Sequence, residues 1–142
     1  MIVEEIKRIA RELQELSKCV VHVGLSDDED MDILVIAHVH EYGCVTKSIP
    51  ERSFIRASYD NFQPVIEQAC VDCIDNVLER GMAASEAMEI LGQKCLDMTL
   101  EYFRVNIPPP NNPQTIADKG SSLTLHDTGV LEGKLKYWID TN

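Results

Sequence analysis

An α+β fold is expected for this chain: a mostly helical single domain, residues 1–142, with a long antiparallel helix hairpin packed on a small β-sheet. Three features predict it. Two long apolar stripes of helical period flank Gly81, a third opens the chain, and two short runs rich in β-branched or aromatic residues, 19–25 and 135–139, supply strands. At 142 residues one domain is expected, able to bury roughly 68% of the surface its unfolded form exposes.

Ile2, Ile6, Ile9, Leu13 and Leu16 recur at steps of four and three with charges between them, the mark of a helix ending near Ser17. The strand at 19–25 follows, closed by glycine, and the acidic stretch 26–32 reads as a solvated turn. Residues 33–42 start with β-branched character and end on Ala-His-Val-His-Glu-Tyr before Gly43, which favours a helix from Val35 with a glycine cap. Residues 44–48 form a loop. Pro50 can open a short helix over 51–59, because the first turn does not need its missing N–H. Asn61 is a good N-cap for the next helix, with Phe62, Ile66, Ala69, Cys73 and Val77 as its stripe.

Beyond Gly81 the most regular stripe runs through Ala84, Ala87, Met88, Leu91, Cys95, Met98, Tyr102 and Val105, and the two long helices form an antiparallel hairpin. A proline-rich loop or arm at 107–114 can be neither helix nor central strand. A helical turn at 115–119, a short helix capped by Thr128 and running to Lys134, and a closing strand at 135–139 complete the expected order.

Composition narrows function. With 24 acidic and 13 basic side chains the net charge is −11, which argues against gripping a phosphate backbone, since that affinity comes from Lys and Arg displacing counterions. No specific nucleic acid binding is expected. No apolar run approaches the ~20 residues of a membrane helix, and the start is acidic and amphipathic, so neither membrane insertion nor export is expected. Five scattered cysteines suit reduced, buried thiols in a cytoplasmic setting.

Candidate chemistry is sparse. His38, His40 and Glu41 offer metal-binding atoms, but on a helix the two histidines point ~200° apart and cannot share an ion. Cys70-Val71-Asp72-Cys73 lies mid-helix, where no helix N-terminus lowers the first thiol's pKa. No G-x-S-x-G elbow and no glycine-rich phosphate loop occur, and His126 beside Asp127 is a poor half-triad. The reading without catalytic, cofactor-binding or metal residues outweighs a small metal-dependent hydrolase built on His38, His40 and Glu41. A helical adaptor or regulatory module is a further alternative.

Other segments say more. His40-Glu41-Tyr42-Gly43 is followed by Ile49-Pro50-Glu51-Arg52-Ser53-Phe54-Ile55-Arg56, and Asp127-Thr128-Gly129-Val130-Leu131 lies far downstream. Each mixes glycine or proline with a large apolar residue and fixed charges, as turn-and-anchor segments do. Taken in order, with Leu91-Gly92, Thr115 and Lys119-Gly120-Ser121 between them, they resemble the virion-morphogenesis, or tail-completion, proteins of long-tailed bacteriophages and prophages. The resemblance spans the chain from Val23-Gly24 to Tyr137. It departs from the family pattern at Tyr42, where Phe is usual, at Ser53, where Pro is usual, and at His126, where an aliphatic residue is usual.

The resemblance implies a non-enzymatic structural protein at the head–tail neck, or one completing the tail before head and tail join. Its implied partners are other phage neck, connector and tail proteins. A homo-oligomeric ring is implied in the particle, and a monomer before assembly is equally compatible. It implies no cofactor, and localisation to the virion, with host cytoplasm as the place of assembly. On that reading the motif residues His40, Glu41, Tyr42, Gly43, Ile49, Pro50, Arg52, Phe54, Arg56, Asp127, Thr128, Gly129 and Leu131 hold local geometry or an inter-subunit seam. Phe54 would fill a hydrophobic socket, Arg52 and Arg56 would pair with carboxylates, Gly129 would free the backbone at the Thr128 cap, and Leu131 would dock the turn.

Overall fold

The computed structural model describes residues 1–105, 107, 109 and 130–142. Its elements are α1 (Ile2–Lys18), β1 (Cys19–Gly24), α2 (Met31–Tyr42), a 3-10 turn (Val45–Lys47), α3 (Arg56–Leu78), α4 (Ala84–Phe103), α5 (Val130–Lys134) and β2 (Lys136–Thr141). The fold is α+β and mostly helical, with β1 and β2 forming a two-stranded antiparallel sheet.

Two boundaries differ from the sequence reading. Helix α2 starts at Met31 rather than Val35, because the Asp30 carboxylate accepts the Asp32 N–H at 2.9 Å and caps the first turn from within the acidic stretch. Residues 51–59 and the segment after Asn61 are not two helices. One helix begins at Arg56 and runs through Asn61 and Pro64 to Leu78. Neither Pro50 nor Asn61 sets its start, which is held by a carboxylate on α2.

The chain divides into two compact units, each discontinuous in sequence: residues 1–23, 63–96 and 137–142, and residues 24–62 and 97–136. In the first, the turn at Gly81 lets α3 and α4 pack as a hairpin around Cys73, Val77, Ala87 and Met88. Leu16 of α1 and Cys19, Val21 and Ile139 of the sheet close over this core. Gly92 on α4 lies where β2 crosses, and a Cβ there would stand 2.4 Å from the Tyr137 ring. The Tyr137 hydroxyl donates to Glu89 at 2.6 Å. Across the sheet His22 stacks on Trp138, with 5.3 Å between ring centres, and its Nε2 lies 2.9 Å from Asp140.

In the second unit Phe54 and Phe103 are wholly buried and meet edge to face at 5.4 Å. Ala37, Met98, Ile107, Leu131 and Leu135 are buried there as well. Among the described residues no helix is long and apolar enough to cross a membrane.

Candidate assembly joint

Glu41 lies one helical turn beyond Ala37 on α2, and both are buried. A carboxylate on the inward stripe of an otherwise apolar helix must find donors, because a buried charge left unpaired is costly. Glu41 finds them in residues 53–56. Its Oε1 accepts from the Ser53 hydroxyl at 2.8 Å, from the Arg56 N–H at 3.0 Å and from Arg56 Nε at 2.9 Å. Its Oε2 accepts from the N–H groups of Phe54 at 2.9 Å and Ile55 at 3.1 Å. These N–H groups are the donors that the first turn of α3 leaves without intrahelical acceptors, and the positive end of the helix dipole faces the carboxylate. Ser53 also accepts from the Ala57 N–H at 3.0 Å.

The rest of the joint is backbone. Gly43 closes α2 with φ +74, its N–H donating to the Val39 carbonyl at 2.7 Å. A Cβ at Gly43 would stand 2.9 Å from the Glu51 nitrogen and 3.0 Å from the Ile49 oxygen, so the returning strand of chain passes too close for any side chain. Cys44 and Ile49 exchange hydrogen bonds at 2.9 and 3.0 Å around the intervening turn, and the Arg52 N–H donates to the His40 carbonyl at 2.8 Å. Pro50, exposed, sits between these two anchor points. His40-Glu41-Tyr42-Gly43 and residues 49–56 are therefore one structural object, not two motifs.

Its charges are arranged in order of burial. Burial pushes the Glu41 carboxyl up, but the N–H groups of Arg56, Ile55 and Phe54 and the Ser53 hydroxyl outweigh it and hold the group below the usual carboxylate range. Burial lowers Arg52, whose Nε donates to the Pro109 carbonyl at 2.8 Å. Arg56 is half-exposed; hydrogen bonding to Glu41 raises it, and its Nη2 also reaches the Glu41 carbonyl at 2.8 Å and the Glu51 carboxylate at 2.9 Å. On the outer side the Arg56 guanidinium lies 4.4 Å over the ring of Tyr42, and His38 tilts against that ring at 4.7 Å.

The motif residues thus divide. Phe54 is 0% exposed and fills a socket in its own chain, so it holds local geometry rather than a seam. Tyr42, 53% exposed, is the motif's large outward side chain. Leu131 is buried on α5. Asp127, Thr128 and Gly129 lie outside the described residues, as do the turn at 115–119 and most of the arm at 107–114.

For metal chemistry the geometry is unhelpful. His38 and His40 sit on one helix two residues apart, both Glu41 oxygens are taken up by the turn, and among the described residues no group of three or more His, Cys, Asp or Glu could hold an ion. Cys70 and Cys73 lie in the middle of α3, and burial pushes the Cys73 thiol up, the opposite of activation.

The sequence reading missed two anchors. Ser53, noted only for departing from the family's proline, works as a donor and acceptor in the joint. Glu12 of α1 caps α4 by accepting the Ala84 N–H at 2.8 Å. The cue available for Glu41 was the inward charge itself, four residues after Ala37. Compared with protein-family models, curated proteins and solved structures, the chain finds no match.

Proposed function

We propose that this chain is a non-enzymatic structural protein of phage virion assembly, acting at the head–tail neck or completing the tail before head and tail join. The observation that supports this most is the joint around Glu41. The two segments that resemble the tail-completion family fold into a single cap, with its polar atoms spent on holding backbone in place.

Such a joint suits a part that must keep its shape while neighbours dock on it. Its outer side offers Tyr42 under the Arg56 guanidinium, and Tyr and Arg are residue types enriched at the centres of protein interfaces. The partners are other neck, connector and tail proteins, and subunits serving a cyclic neck form a ring through head-to-tail contacts that close. A net charge of −11 keeps the part from sticking to the genome that passes it.

The test is genetic. Deleting the gene from the phage or prophage that carries it should leave filled heads and free tails that do not join, seen by electron microscopy and as loss of plaque formation. Restoring the wild-type gene should rescue joining. Normal tailed, infective particles from the deletion would overturn the reading.

A further inference from the structure

Cys70 and Cys73 take no part in the Glu41 joint. They lie one turn apart on α3, where residues three apart share a face. Both line an open groove of about 380 Å³, whose other walls include Leu16 of α1, Ile74 of α3, and Met88 and Leu91 of α4. Cys70 is exposed, while Cys73, 6% exposed, belongs to the hairpin core. Cys19, at the start of β1, lines another wall of the groove and turns its Sγ to the Glu15 carbonyl at 3.3 Å. All three are free thiols.

Helix geometry decides which chemistry the pair suits. Side chains at i and i+3 hold their Cβ atoms about 5–6 Å apart. A disulfide requires about 3.5–4.5 Å, so a Cys70–Cys73 bond would have to distort this turn, in the middle of a helix of 23 residues. A single atom bridging the two sulfurs needs no such movement. Two metal–sulfur bonds of ~2.3 Å each, in line, set the sulfurs ~4.6 Å apart, which Cβ atoms at helical spacing can reach.

Ligand number and softness then select the ion. Structural zinc takes four ligands, and among the described residues no group of three or more His, Cys, Asp or Glu could hold an ion. That leaves an ion satisfied by two ligands. Hard cations want oxygen, and no carboxylate lines the groove. Cu(I) is soft, prefers thiolate sulfur, and as a closed-shell ion is content with two ligands in line. Leu16, Ile74 and Leu91 shield such an ion from water, and the open side of the groove gives it a way in.

We propose that Cys70 and Cys73 form a two-thiolate site for one Cu(I) ion. On binding, each thiol releases its proton to water and each sulfur forms one bond to copper. Copper remains Cu(I) throughout, so no oxidant or reductant takes part. The site does not rest on the neck reading, and its test uses purified protein alone.

The full chain, reduced and kept from oxygen, is titrated with Cu(I) against a chromogenic Cu(I) chelator, and should withdraw one equivalent of copper. Cys70→Ser changes an exposed side chain, so circular dichroism should be unchanged. It should lower the affinity by about a hundredfold or more, beyond what the loss of a supporting neighbour costs. Cys73→Ser should do the same. Cys19→Ser, Cys44→Ser and Cys95→Ser should each keep the wild-type affinity. Copper-edge X-ray absorption of the one-to-one complex should show two sulfur neighbours. No copper withdrawn from the chelator, full affinity in a folded Cys70→Ser, an equal loss on replacing Cys19, Cys44 or Cys95, or a third strong neighbour to copper would each overturn the proposal.

Discussion

Arg56 closes on Glu41 with two of its nitrogens: Nε donates to the carboxylate at 2.9 Å, and Nη2 donates to the backbone carbonyl at 2.8 Å. One residue of α3 thus grips both the side chain and the main chain of one residue of α2, and the cap cannot shift without breaking both contacts. The helix start, the turn and the outward Tyr42 are set by this pair.

Replacing Glu41 should be the most damaging single change at the joint. Glu41→Ala leaves the N–H groups of residues 54–56 without their buried acceptor, and a loss of about 2–4 kcal/mol is expected from the cost of stranded donors. Glu41→Gln keeps the shape but sets an amide N–H₂ against donors, and should fall between. Urea unfolding followed by circular dichroism measures both; an Ala variant as stable as wild type would remove Glu41 from its role.

Acid should weaken the joint. The folded-state carboxyl of Glu41 titrates below its ordinary value of 4.5, so the unfolded chain takes up the proton first as pH falls. The stability that Glu41 contributes is complete above about pH 4.5 and is lost as pH falls through the folded value. The stability gap between wild type and Glu41→Gln should therefore be constant from pH 7 to pH 5 and shrink below that. A gap that widens on acidification would mean the wrong sign.

Gly43→Ala combines positive φ with backbone atoms at 2.9 and 3.0 Å from the new methyl. A destabilisation of about 1–3 kcal/mol is expected. At Gly92 the obstacle is the Tyr137 ring, a side chain, and Gly92→Ala should cost less than Gly43→Ala if that ring can swing aside. Thermal melts of the two variants side by side decide the order.

Phe54→Ala should cost about 3–5 kcal/mol, as for any large aromatic removed from a closed core, and Phe54→Leu about 1.5 kcal/mol. The edge contact with Phe103 predicts coupling: the double variant at 54 and 103 should be more stable than the sum of the single losses allows. Strict additivity in a double-mutant cycle would deny the contact.

Tyr42→Ala tests the outward side. The residue is exposed, so stability should change by no more than about 0.5 kcal/mol. If the proposed neck role holds, incorporation into particles, read by mass spectrometry of purified virions, should drop, and full incorporation would remove Tyr42 from the proposed contact.

The helix hairpin was legible because periodicity is a local property: Cys73, Val77, Ala87 and Met88 announce their shared core by spacing alone, and the structure packs them together. The short strands were legible for the same reason. The start of α3 was not. Pro50 and Asn61 are sound local signals, yet the donors of residues 54–56 go to a carboxylate 13 to 15 positions earlier. Spacing carries no trace of which distant acceptor a helix end will meet, and once Glu41 meets it, neither the proline nor the asparagine has an end left to cap.

By itself, then, the sequence determined the fold class, the stripes and the absence of a recognisable catalytic spacing, all of which depend on residues within a few turns of one another. Tertiary structure alone decided that two motifs are one joint, that Phe54 points inward while Tyr42 points out, and that Arg56 serves Glu41. Those outcomes rest on burial and on hydrogen-bond partners brought together from α2 and α3, and desolvation acts only on groups that the folded chain has already placed in contact.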